Sequence, residues 1–305
     1  MPNALTIETH SLSKSYGRLL AVDALELSVA QGSFFGLLGR NGSGKTTTLH
    51  MLSTLARPSS GQAWVDGYDV VRQPVAVRRA IGVVFQESAL DRTLTAVENL
   101  HFAAALAGLA PRIARQRGEE LLKLFDLTEK RHAPVSTLSG GMRRALDIAR
   151  GVLHRPRILF LDEPTIGLDV INRRQIWRFL RRLRTEEGST LMLSTHYMDE
   201  VEGCDEIVFM KGGKTIGQGR PAALVSAVAS FILEVETETP ALSAKELTPQ
   251  FGEPLAEEGR LQFRILDRDF ALSHLPSHLK HITRGIHLRR ADLNDVYLWL
   301  NRPGA

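Results

Sequence analysis

Ser33-Phe34-Phe35-Gly36-Leu37-Leu38-Gly39-Arg40-Asn41-Gly42-Ser43-Gly44-Lys45-Thr46-Thr47 is the stretch that decides the fold. Its first six residues read as a buried strand. Gly39 to Thr46 then fits Gly, four free positions and Gly-Lys-Ser/Thr, the phosphate-loop pattern. Glycines let successive backbone N–H groups turn inward around phosphate oxygens, where a Cβ would block positive φ and close approach. Lys45 offers a point charge to the β- and γ-phosphates, and the Thr46 hydroxyl is a Mg²⁺ ligand by type. Thr47-Thr48-Leu49-His50-Met51-Leu52 opens a helix whose positive dipole end faces the anion. The stretch predicts an α/β phosphate-loop NTPase core that takes a nucleoside triphosphate.

Two further motifs narrow the reading. Ile158-Leu159-Phe160-Leu161-Asp162-Glu163 is an apolar run ending in two carboxylates, the pattern of a central parallel strand buried on both faces. Its C-terminal end belongs beside the phosphate loop, where open α/β sheets place ligands. Asp162 is then set to hold Mg²⁺, and Glu163 to polarise the water that attacks the γ-phosphate. Leu138-Ser139-Gly140-Gly141-Met142-Arg143-Arg144 precedes the periodic run Leu146, Ile148, Ala149, Val152, Leu153, so Ser139 and the glycines sit at a helix N-terminus. On these residues alone that site is an ordinary helix cap.

Between the phosphate loop and Asp162, however, the Ser139 motif resembles the signature of the ATP-binding cassette (ABC) family. The family's other marks occur in order. Tyr16 in Lys14-Ser15-Tyr16-Gly17 resembles the aromatic that stacks on adenine. Gln86 in Gly82-Val83-Val84-Phe85-Gln86 matches the glutamine that ends a strand and reaches Mg²⁺ and the attacking water. Asp169 in Gly167-Leu168-Asp169 matches the loop that crosses between two cassettes, and His196 in Leu193-Ser194-Thr195-His196 the histidine that contacts the γ-phosphate. The resemblance implies an active ATPase using ATP and Mg²⁺, with Ser139, Gly140 and Gly141 closing over ATP held by a second chain, most simply in a homodimer. Arg40 stands where Pro is usual, Thr46 where Ser is, and Met142 where Gln is frequent; none removes a catalytic group.

The chain has 305 residues, 43% of them hydrophobic, enough for one large domain and one small one. The uncharged window Ala103 to Ala110 is far shorter than the roughly 20 apolar residues of a spanning helix. Met1-Pro2-Asn3-Ala4 has no basic-then-apolar signal layout. The single cysteine, Cys204, excludes an internal disulfide and reads as a buried, inert thiol. Together these predict a chain in the cytosol or held at the cytoplasmic face of a membrane by other subunits. Net charge is +4. The candidate basic cluster, Arg173, Arg174, Arg178, Arg181, Arg182 and Arg184, shares a helix with the buried stripe Ile176, Phe179, Leu180 and Leu183. It is most simply a solvated or partner-facing side, so no nucleic-acid partner is expected.

Residues 4–220 form the expected nucleotide-binding domain. Within it, 4–31 alternate as antiparallel strands, about 95–153 are a helical insert, strands lie at 158–161, 190–194 and 206–210, and a helix covers 170–186. Gly217-Gln218-Gly219-Arg220-Pro221 marks a linker. Residues 222–305 read as a small C-terminal α/β domain, with strands at 231–236, 260–265 and 285–289 and helical patterns at 241–251, 269–280 and 292–301. Its closing run, Leu288-Arg289-Arg290-Ala291-Asp292-Leu293-Asn294-Asp295-Val296-Tyr297-Leu298-Trp299-Leu300, resembles that of drug-resistance-type ABC exporter ATPases, which pair with a separate integral-membrane permease. Tyr297 and Trp299 read equally well as docking on their own sheet. Import in place of export stays open, because only this tail resemblance separates them. A ribosome-acting factor of the superfamily would carry two cassettes, and a DNA-maintenance ATPase would split its cassette with a long coiled coil. Neither a second phosphate loop nor sustained heptads between Lys45 and Asp162 occur. The cargo is not written in this chain, since the permease contacts it.

Overall fold

Apolar runs without alternation suit strands covered on both faces, and the chain uses them in that way. The computed structural model describes residues 4–257, 259–275 and 283–302. They divide into two compact units. One holds the residues up to Tyr197 together with Gly203–Ile216, and the other Met198–Glu202 together with the residues from Gly217 onward.

The first unit opens with β1 (Leu5–Tyr16), β2 (Leu19–Ala30), β3 (Phe34–Leu38), α1 (Lys45–Leu52), β4 (Ser60–Val65), β5 (Tyr68–Asp69), α2 (Pro74–Ala80) and β6 (Ile81–Val84). Helices α3 (Ala96–Leu106), α4 (Pro111–Leu124) and α5 (Gly140–Val152) come after them. Then come β7 (Ile158–Asp162), α6 (Val170–Glu187), β8 (Thr190–Thr195), β9 (Glu206–Lys211) and β10 (Lys214–Gly219), the last running across the division between the units. The alternating N-terminal strands form an antiparallel sheet ordered β2-β1-β4-β5. A second sheet is ordered β10-β9-β3-β8-β7-β6 and is parallel from β9 to β6.

Helix α1 is held between the two sheets. Leu49 and Met51 share one core with Ile7, Leu25 and Leu27 of the antiparallel sheet and with Phe35, Phe160 and Met192 of the parallel one. Truncating a residue such as Phe160 to Ala would cost about 3–5 kcal/mol, so the helix after the phosphate loop has little freedom to shift. One strand, β8, stands between β3 and β7. The Asp162 strand is therefore second from the phosphate-loop strand, not next to it.

The second unit contains α7 (Pro221–Val228), β11 (Phe231–Thr237), α8 (Pro240–Phe251), β12 (Leu255–Glu257), β13 (Arg260–Ile265), α9 (Arg268–Ser273), β14 (Thr283–Arg290) and α10 (Leu293–Leu300). Its sheet, ordered β12-β13-β11-β14, is antiparallel throughout. The stretch expected to be a linker leads straight into α7. Gly217, Gln218 and Gly219 end β10, and Pro221 is the first residue of α7, where its missing N–H costs nothing, so the expected linker is a strand end followed by a helix start. The short β12 was not expected. The helical pattern over 269–280 is helix as far as Ser273, and 276–280 lie outside the described residues, as do Met1, Pro2 and Asn3.

Leu233, Val235, Leu261 and Phe263 pack on Leu247 and Phe251 of α8, whereas Ile232 meets Trp299 of α10. Trp299 is only 7% exposed. Of the two roles open to it, docking on its own sheet is the one observed. Arg289 of β14 forks onto the buried Asp295 of α10 at 2.8 and 2.7 Å and reaches Glu234 of β11 at 2.8 Å, tying helix to sheet.

Candidate active site

Strand register builds the site. Leu38 pairs with Thr195, Asp162 with Ser194, and Val84 with Leu161, so β3, β8, β7 and β6 end at one rim. Beyond that rim β3 delivers the phosphate loop, β8 delivers His196, β7 delivers Glu163, and β6 delivers Gln86 two residues past its end. This is the crevice at the carboxyl ends of the strands where open parallel sheets bind ligands.

A cleft of about 650 Å³ lies there, lined by Asn41 to Thr47 with Tyr16, Leu19, Leu20, Gln86 and Glu163. Gly42 has φ 79° and nothing within 4 Å of where a Cβ would stand, so its turn is open on the outer side. Gly44 precedes α1, and no side chain caps that helix start, which leaves its first N–H groups for a ligand. The Ser43 hydroxyl is buried without a hydrogen-bond partner. Lys45, 5% exposed, donates to the Gly39 and Arg40 carbonyls at 2.7 and 3.2 Å. Burial pushes its ammonium below the usual lysine range, with Glu163 and Asp162 pulling the other way. A buried cation, an orphaned hydroxyl and an uncapped helix start together fit a polyphosphate. Arg40 contributes its carbonyl, while its own side chain is exposed.

Asp162 Oδ1 accepts from Thr46 Oγ1 at 3.2 Å and from Ser194 Oγ. Glu163 is 5% exposed and has φ 49°, a left-handed backbone that a non-glycine residue keeps only under restraint. Its Oε1 lies 3.9 Å from Lys45 Nζ, and its Oε2 lies 2.7 Å from His196 Nδ1 without hydrogen-bond alignment. Gln86 is exposed at the cleft, and Tyr16 is half exposed with Lys14 Nζ 4.9 Å from its ring centroid. The oxygen donors Thr46, Asp162 and Gln86 suit Mg²⁺ by type. Among the described residues no group of three or more His, Cys, Asp and Glu could hold a metal ion.

Ser139, Gly140, Gly141 and Asp169 do not line this cleft. Ser139 caps α5, accepting from the Met142 N–H at 3.2 Å. Gly141 abuts Asn172, whose side chain a Cβ would approach to 2.7 Å. Asn172 in turn donates to Asp169, and the Asp169 carboxylate caps α6 at 2.9 Å from the N–H groups of Ile171 and Asn172. The Ser139 and Asp169 motifs are thus one joined surface. The α6 stripe Ile176, Phe179, Leu180 and Leu183 is buried, Arg174, Arg178, Arg181 and Arg182 are exposed, and Arg173 lies over the Tyr197 ring at 5.2 Å. Cys204 is buried and not in a disulfide.

Two side chains at the site escaped the sequence reading, Ser194 and Arg144. Arg144 is buried and donates to the Asp162, Glu163 and Pro164 carbonyls. A signal was present: Arg144, Asp147 and Arg150 recur at three-residue spacing inside an otherwise apolar helix face.

The profile of the ABC transporter family matches residues 22–166. The daunorubicin/doxorubicin resistance ATP-binding protein DrrA of Streptomyces peucetius is 38% identical over 305 residues, covering 96% of this chain and 92% of that protein. Nod factor export ATP-binding protein I of Ralstonia nicotianae is 37% identical over 302 residues, covering 96% and 93%. Among solved structures, the ATP-binding cassette MJ0796, in a dimeric post-hydrolysis state bound to ADP and Pi, matches with a TM-score of 0.66 at 27% identity. That match covers 70% of this chain and 98% of the other.

Proposed function

The chain belongs to the ABC transporter family, and on that premise we propose that it is the ATP-hydrolysing subunit of an exporter, driving a separate integral-membrane permease from the cytoplasmic face of the membrane. The observation that carries the reading is the buried Glu163 carboxylate, set 2.7 Å from His196 and 3.9 Å from Lys45 beside the phosphate cradle. The export assignment draws on relatives described as resistance and Nod factor export ATP-binding proteins. No helix among the described residues is long and apolar enough to cross a membrane, so in this reading the path across belongs to the permease.

ATP enters with its adenine against Tyr16 and its phosphates on the Gly39–Thr47 loop, where Lys45 exchanges its bonds to the loop carbonyls for phosphate oxygens. Mg²⁺, held by Thr46, Asp162 and Gln86, would neutralise charge building on the phosphates. Glu163 takes the proton of the attacking water, and His196 steadies the γ-phosphate while keeping the Glu163 carboxylate aimed. Ser139, Gly140 and Gly141 serve the cleft of a second copy, because on their own chain they lie outside it; Asp169 backs them through Asn172. Two copies closed over two ATP molecules then exclude water and complete both sites, and loss of phosphate lets them part. We assign residues 4–220 to this chemistry and 222–305 to assembly, with no nucleic acid in the cycle.

The test is co-purification of the tagged chain from membranes together with an ATPase assay. A partner with several spanning helices and ATP turnover are expected. A chain that hydrolyses ATP but brings down ribosomal or DNA-bound material in place of a membrane protein would sink the transport reading.

A further inference from the structure

Arg144 lies one turn into α5, immediately behind the exposed Ser139 and Gly140, and is 7% exposed. Its Nε donates to the Pro164 carbonyl at 2.7 Å, and its Nη2 to the Asp162 and Glu163 carbonyls at 3.0 and 2.9 Å. Its Nη1 donates to the carbonyl of Phe85, the residue before Gln86. From the other side, Asp147 Oδ2 stands 3.8 Å from Nη1, while Asp147 Oδ1 is held by Arg150 Nε at 3.2 Å. One planar fork thus joins three segments: the signature helix, the turn that carries Glu163 and the loop that carries Gln86. A lysine cannot reproduce this, because its single ammonium nitrogen cannot stand within bonding distance of all four carbonyls at once.

The bonds to Glu163's surroundings are specific in their effect. The Asp162 and Glu163 carbonyls belong to the two peptide planes flanking the Glu163 Cα. Fixing both planes fixes φ and ψ there, and with them the direction of the Cβ. That is the residue whose φ of 49° demands restraint. We propose that Arg144 is a positioning residue for hydrolysis: it holds Glu163 and the Gln86 loop in working geometry and ties that geometry to the Ser139 end of α5. The proposal rests on the ATPase reading of the site.

The experiment uses the full chain, with Arg144→Met and Arg144→Lys measured for kcat, KM, affinity for a fluorescent ATP analogue and melting temperature. Misplacing the water-activating carboxylate by about 1 Å should lower kcat about 100-fold in Arg144→Met, with nucleotide affinity kept within about twofold. Arg144→Lys should recover about tenfold of that loss. Glu163→Gln added to Arg144→Met should lower turnover by much less than it does in the wild-type chain, since the carboxylate it removes is already misplaced. A packing role alone would lower the melting temperature while leaving kcat per folded molecule unchanged, and that result overturns the proposal. So does a double variant whose two effects multiply. If Arg144→Met does not fold, Arg144→Lys decides: kcat down about tenfold at unchanged affinity supports the role, and wild-type kcat overturns it. A wild-type chain that binds ATP without hydrolysing it sinks the ATPase reading and this proposal together. Normal wild-type turnover with indifferent Arg144 variants sinks this proposal alone.

Discussion

Two helices of the first unit begin at glycine-rich turns, and they offer opposite chemistry. At α1 no side chain caps the first turn, and Lys45, Asp162 and Glu163 crowd around it. At α5 Ser139 already satisfies the Met142 N–H, and Ser139 and Gly140 stand exposed, away from the cleft. The first gathers buried charge around free helix N–H groups, as the proposed reaction centre requires. The second is an already capped helix start, backed by Asn172 and Asp169 and outside the cleft. A glycine-rich helix start is therefore only a device; its surroundings decide what it can bind.

That contrast can be broken at several points. Lys45→Ala should have the largest effect, weakening ATP binding roughly 100-fold or more and ending turnover, because a buried charged hydrogen-bond donor is lost. Titration with a fluorescent nucleotide checks it. Glu163→Gln should leave binding intact and lower turnover by about 10²–10⁴, so that ATP-bound dimers build up on gel filtration. Near-normal hydrolysis in that variant would remove Glu163 from its role.

Ser139→Arg should abolish turnover while leaving the dilute chain's ATP affinity within about twofold, since Ser139 is outside its own cleft. Mixing it with Lys45→Ala should restore activity through one intact composite site. No recovery at any mixing ratio would mean that the α5 end does not act across two copies. A subtler effect is set by Lys45 itself. Its ammonium is held below the usual lysine range by burial, and only the protonated form pairs with phosphate. ATP affinity should thus decline as pH rises through that lowered value, before the range of an exposed lysine near about 10.4. An affinity flat up to that range would show that the burial cost is relieved before ATP arrives. The smallest effect on ATP should come from removing residues 221–305, a cut that spares α7 from being split: affinity within about twofold, with permease pull-down reduced. Equal pull-down would show that assembly does not need the second unit.

Much of this was readable from the chain because local patterns carry local structure. The phosphate loop, the apolar run into Asp162 and Glu163, and the Ile176, Phe179, Leu180, Leu183 stripe needed no distant information. Strand order did: nothing near Ile158 or Phe34 says that Thr190–Thr195 will lie between them. Arg144 was hidden because an arginine on a helix is usually solvated, and its four carbonyl partners are spread from Phe85 to Pro164. Pro221 misled for a different reason, since one residue type both ends segments and starts helices.

The shared rim of β3, β8, β7 and β6 has a consequence for how this chain can change in length. A single residue inserted within Ile158–Asp162 would push the remainder of that strand along by about 3.3 Å and turn alternate side chains to the opposite face. Glu163 would leave the cleft although no catalytic residue had been replaced. The same insertion before Ile158, or at Gly188 ahead of β8, would be taken up in a turn at the opposite end of the strands from the cleft. Extra residues should accordingly be tolerated at the strand entrances and rejected at the exits, which makes spacing along these strands as much a part of the active site as the side chains they deliver.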